Sequence, residues 1–90
     1  MNIEQEIKLR AQLAELHNFP DLYMFKFIVP NEPGKKDEVL KFFSEKADVS
    51  TKKSRNGKYL AISIKEVMIS VDAVMQRYHE LKSVKGLMSL

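Results

Sequence analysis

Two stretches of this chain alternate apolar and polar residues, and the segments between them recur with helical spacing. Leu60, Ile62 and Ile64 alternate with Tyr59, Ala61 and Ser63, which puts three branched side chains on one face of a strand. Asn56-Gly57 stands just before it. That dipeptide predicts a β-hairpin with a type I′ turn, φ being positive at both central residues, and strands near 48–55 and 58–66. Earlier, Tyr23, Phe25, Phe27 and Val29 alternate with Leu22, Met24, Lys26 and Ile28, predicting a strand over Leu22–Val29. Lys26 marks its set as the exposed one, so Phe25 and Phe27 face the core.

Residues 2–16 contain no Gly or Pro and are rich in helix formers. Ile3, Ile7 and Ala14 make one apolar stripe of this predicted helix, and Leu9, Leu13 and Leu16 another. His17-Asn18-Phe19-Pro20 ends it, because the residue before proline avoids the helical region. Pro30-Asn31-Glu32-Pro33-Gly34 is a turn cluster. A second helix is expected from Lys35 or Lys36 to Ala47, with Val39, Leu40, Phe42, Phe43 and Ala47 on its apolar side. Ser70 and Asp72 can cap a third, in which Val71, Val74, Met75, Tyr78 and Leu81 form an amphipathic stripe. Lys85–Leu90 reads as a short last strand.

The order is a helix followed by β-α-β-β-α-β, which is an α+β, ferredoxin-like βαββαβ two-layer sandwich with an extra N-terminal helix. The antiparallel sheet then has the order 4-1-3-2, and its two central strands are the most apolar ones. The expected organisation is an N-terminal helix at 1–18 and a ferredoxin-like domain at 19–90, folding as one unit. Ninety residues support a single two-layer core.

Composition narrows the function classes. The chain has no cysteine, so it has no thiolate metal site and no cysteine nucleophile. No apolar run is long enough to span a bilayer, and Asn2, Glu4, Gln5 and Glu6 are wrong for a signal peptide. A cytoplasmic protein without membrane contact is expected. The formal net charge is +3, with a pI of about 9.2. Lys52, Lys53, Arg55 and Lys58 crowd the hairpin tip, where lysine commonly guards strand edges against aggregation.

Two helices cover one face of such a sheet. The other face should show Met24, Lys26, Ile28, Tyr59, Ala61, Ser63 and Lys65, a mixed surface open to the N-terminal helix, a second subunit or a ligand such as RNA. RNA-recognition motifs share this topology and stack bases on aromatic residues of the central strands. Here Tyr59 offers one platform, but Ala61 and Ser63 offer no second, so nucleic acid is disfavoured. His17 and His79 have no nucleophile paired with them in sequence, and Glu4, Glu6 and Glu15 read as a solvated helix face. The three glycines lie in separate turns, so no phosphate-binding loop forms. No catalytic residue, metal ligand or cofactor is expected, and the chain reads as non-enzymatic.

Phe19-Pro20, Phe25-Lys26, Ser54-x-x-Gly57-x-Tyr59 with Ser63, and Tyr78-x-x-Leu81 ahead of a final strand at Leu90 occur in an order that resembles the YbeD-like proteins, small bacterial proteins of unknown function. The resemblance spans roughly residues 9–90 and implies a ferredoxin-like fold similar to the ACT regulatory domains of amino-acid metabolism. It implies no activity and no catalytic residue. ACT domains often carry Asp/Asn-x-Pro-Gly-x-Leu after the first strand. Asn31-Glu32-Pro33-Gly34-Lys35-Lys36 matches it except for Lys36 in place of leucine. By that similarity, Asn31, Gly34 and Lys35 are the candidate contacts for a small amino or keto acid. The leading expectation is a regulatory or interaction module that binds a protein partner or itself. An acid sensor comes second and a nucleic-acid binder third.

Overall fold

The computed structural model describes residues 1–90. The chain runs α1 (Ile3–Leu16), β1 (Asp21–Pro30), α2 (Lys35–Leu40), β2 (Asp48–Lys53), β3 (Tyr59–Met68), α3 (Val71–Leu81) and β4 (Met88–Ser89). The sheet order is β2-β3-β1-β4 with every neighbour antiparallel, which is the expected 4-1-3-2 order read from the other edge. Phe25 lies opposite Ile64 and Phe27 opposite Ile62, so the two alternating stretches meet with their apolar faces on the same side. Aromatic and β-branched pairs of this kind stabilise a ladder by roughly 0.2–1 kcal/mol each. They bury against Val39 of α2 and against Val74, Met75, Tyr78 and Leu81 of α3. No helix is long and apolar enough to cross a membrane.

α1 is capped by a reciprocal pair: Gln5 N–H donates to Asn2 Oδ1 at 2.8 Å, and Asn2 N–H donates to Gln5 Oε1 at 3.0 Å. It packs beside α3, not on the open sheet face. Leu13 is buried in the common core, and Leu9 packs on it from the edge. Arg10 Nη1 reaches Asp72 Oδ1 at 2.6 Å, and His79 Nε2 lies 2.9 Å from Glu6 Oε1. Glu6 is therefore an interhelical contact rather than part of a solvated face. The Ile3 and Ile7 stripe stays exposed.

Three expected boundaries differ, each for a tertiary reason. The hairpin turn is displaced by one residue. Gly57 N–H donates to Ser54 O at 2.9 Å, and only Gly57 has positive φ there, at +74°; no non-glycine residue in the chain does. Asn56 Oδ1 instead accepts from Ser54 Oγ and from Lys58 N–H. The result is a longer loop with glycine in the left-handed position, not a type I′ turn. Next, α2 stops at Leu40, not Ala47. Phe42 and Phe43 N–H tighten onto Val39 and Leu40 carbonyls, and Ser44 N–H is then drawn to Glu66 Oε1 of β3 at 2.6 Å. Finally, β4 is confined to Met88–Ser89. Residues 82–84 bond back to the end of α3, and Val84 plugs the core. Gly86 approaches Pro30 so closely that a Cβ there would lie 2.9 Å from the ring.

Candidate interaction surface

The period of two that sends Phe25 and Ile62 inward sends their neighbours to the opposite face. Met24 pairs with Lys65, Lys26 with Ser63, Ile28 with Ala61 and Pro30 with Tyr59. All seven residues expected on the open face therefore share it. Because α1 docks on α3, no element of the chain covers them. The surface is more apolar than those seven residues suggest. Leu22 and Val67 form the next cross-strand pair and Met88 of β4 lies opposite Ile28. The exposures are 55% for Leu22, 50% for Met24, 63% for Val67 and 54% for Met88. Leu22 and Val67 were legible from the same alternation; Met88 required knowing that β4 is added beside β1. An uncovered face of this kind, with Leu22, Met24, Val67 and Met88 exposed and Lys26 and Lys65 set among them, is the kind of surface that marks an interaction site.

At one end of this face, Ile28, Tyr59, Ala61, Lys52, Lys53, Ser54 and Arg55 surround a shallow hollow of about 500 Å³. It brings Tyr59 next to the basic hairpin, an arrangement that strand pairing produces by setting Lys52 opposite Ala61.

Asn31, Gly34 and Lys35 lie where β1 passes into α2. Asn31 Nδ2 donates to Gly57 O at 2.9 Å and ties the β1 exit to the hairpin. Lys35 Nζ donates to Lys85 O at 2.8 Å and lies 3.5 Å from Glu38. Gly34 is exposed. Asn31 and Lys35 each give one side-chain hydrogen bond to the fold, and α2 is a helix of 6 residues with little dipole to offer.

The remaining polar pairs hold the architecture. Arg77 Nη1 lies 2.8 Å from Glu66 Oε2, off the angle of a good hydrogen bond, and its guanidinium sits 4.7 Å over the Phe43 ring. Tyr23 and Tyr78 hydroxyls are 2.9 Å apart. Burial, then the Tyr23 hydroxyl, push Tyr78 far above the usual phenol range, so it stays protonated. His17 Nδ1 is 2.8 Å from Asp21 Oδ2 and its ring stacks on Phe19. The bonds from His17 and from Leu22 N–H hold Asp21 below the usual carboxylate range. Neither histidine contacts a hydroxyl, and no three His, Asp or Glu side chains converge as metal ligands.

No curated protein and no solved structure matches the chain. The family described as "Protein of unknown function (DUF493)" matches residues 14–90, which takes in everything from the last turn of α1 to β4, and the chain belongs to that family.

Proposed function

We propose that this protein is a non-enzymatic interaction module that binds a protein partner, or a second copy of itself, through the open face of β1 and β3. The YbeD-like likeness fits a small cytoplasmic module of this sort and adds no activity. The observation that carries the reading is the docking of α1 on α3, which leaves Leu22, Met24, Val67 and Met88 exposed together on the sheet. Apolar area costs free energy in water at roughly 25 cal/mol per Å², so covering this band favours association.

The test is a double variant, Ala61→Lys with Val67→Lys, in affinity capture and in analytical ultracentrifugation. Wild type should bring down a stoichiometric partner or sediment above the monomer. The variant should do neither while its circular dichroism melt stays within a few degrees of wild type. Association of equal strength in both proteins, or none in wild type, would overturn the reading.

A further inference from the structure

β1 is paired along its whole length on one side and along only part of it on the other. Its β3 side is matched from Asp21↔Met68 to Pro30↔Tyr59. On the β4 side only Phe27 and Ile28 are matched, with Leu90 N–H donating to Lys26 O at 2.9 Å. In an antiparallel ladder, successive residues point their N–H and C=O groups alternately to the two sides. Lys26 faces β4, so Met24 and Leu22 face that side too. Leu22 N–H is taken by Asp21 Oδ1 at 2.8 Å. No strand lies beside Met24 N–H, Met24 C=O or Leu22 C=O.

A groove of about 800 Å³ adjoins this edge, between the β4 end of the sheet and the α1–α3 pair. Tyr23, Met75, Tyr78, Leu87 and Leu90 are among its largely apolar walls. Lys8 and Lys82 also line it, and no Asp or Glu side chain does. Tyr23 and Tyr78 both border it, and their hydroxyls share one hydrogen bond, which leaves the second O–H free to donate.

We propose that the unpaired edge at Asp21–Phe25 takes up an extended segment of a partner protein as an added strand, and that this segment alternates apolar and acidic residues. Its main chain pairs with Met24 and Leu22, its apolar side chains enter the groove, and its acidic ones turn outward toward Lys26. Lys8 and Lys82 add favourable charge along the groove. A second copy of this chain fits less well: its β1 has 10 residues, and an antiparallel pairing centred on Tyr23 would carry the remainder past Asp21 onto the His17–Pro20 turn. The proposal goes beyond the interaction reading above: it uses the main-chain edge of β1 and the groove beside it, although the side chains of Leu22, Met24 and Met88 also belong to the open face.

The probe is a synthetic octapeptide of alternating glutamate and valine, blocked at both ends, titrated to millimolar concentration into labelled protein and followed by NMR. The Leu22 and Met24 amides should shift, and Met24 should gain protection from hydrogen exchange. Met24→Pro deletes one edge N–H without touching the β3 ladder, as edge strands tolerate. It should weaken binding about tenfold, the loss of one edge hydrogen bond with its neighbours' alignment. A peptide N-methylated along its pairing edge should lose as much against wild type, which keeps the test valid if Met24→Pro folds poorly. A lysine–valine octapeptide should bind more weakly than the glutamate one. Ala61→Lys with Val67→Lys should leave peptide uptake unchanged, which separates this proposal from the open-face reading. Equal binding of the methylated peptide, equal binding of the lysine peptide, no binding, or a wild-type dimer dissolved by Met24→Pro would each overturn it.

Discussion

His79 Nε2 of α3 lies 2.9 Å from Glu6 Oε1 of α1, and this contact, with Arg10–Asp72, draws the N-terminal helix to the helical side of the sheet. Had α1 crossed to the other side, Met24 and Val67 would be covered. The pairing therefore helps decide which surface the protein presents.

The same pair predicts a pH dependence. The His79 bond lowers Glu6 below the usual carboxylate value, Arg10 and Lys82 acting in the same direction. Asp21 is lowered likewise by His17. A carboxylate depressed in the folded state contributes stability that is complete above its ordinary pKa of about 4 and is lost as pH falls through the lower folded value. Melting temperature should be insensitive to Glu6→Gln in strong acid and lower in the variant at pH 6–7. Amide protection in α1, relative to the intrinsic exchange rate at each pH, should fall first as pH falls. Equal melting of the two proteins at neutral pH would show the contact to be incidental.

The core prediction tests register. Ile62→Asp places an unpaired charge among Phe27, Val74 and Met75 and should unfold the domain, at a cost of several kcal/mol. Ser63→Asp, one residue on, faces the open side and should cost about 1 kcal/mol or less. Urea melts in the opposite order would place β3 one residue out of step.

Glu66 and Arg77 form the most enclosed ion pair, with side-chain exposures of 12% and 18%. Glu66→Ala removes the partner of a half-buried guanidinium and frees Ser44 N–H, so it should cost about 1–3 kcal/mol. Arg77→Met with Glu66→Gln removes both charges and should recover part of that loss. A double-mutant cycle by chemical denaturation measures the coupling, and a value near zero would assign the stability to Arg77 packing on Phe43 alone.

The Asn31–Lys35 loop should behave as structure. Asn31→Ala and Lys35→Ala should each lower the melting temperature by a few degrees, since each loses a long-range bond worth roughly 1 kcal/mol. A thermal-shift screen of amino and keto acids at millimolar concentration should give no hit. A hit abolished by Lys35→Ala would restore the acid-sensor reading.

The hollow beside Tyr59 gives nucleic acid its one point of support. Single-stranded RNA should produce no gel shift at near-physiological salt. A shift that falls steeply with salt, and is lost when Lys52, Lys53 and Arg55 become Glu, would make this a nucleic-acid surface.

Local pattern identified β1, β3 and α3, because burial on one face imposes a period of two on the strands and of 3.6 on the helix, and the order of elements, matched to the βαββαβ arrangement, led to the sheet order. It also determined that Met24, Lys26, Ile28, Tyr59, Ala61, Ser63 and Lys65 share a face, since the same alternation that buries Phe25 and Ile62 excludes their neighbours. Tertiary contacts decided the rest. α1 has two apolar stripes, and nothing local says which docks; Leu9 and Leu13 do, with Glu6 and Arg10 reaching side chains more than sixty residues away. α2 ends early because a carboxylate on β3 captures Ser44 N–H. The hairpin turn moves because Asn56 spends its side chain on Ser54 and Lys58. The unpaired edge of β1, beyond the Phe27↔Ser89 pair, is likewise visible only once β4 is placed beside β1, because the pattern within β1 is the same along its whole length.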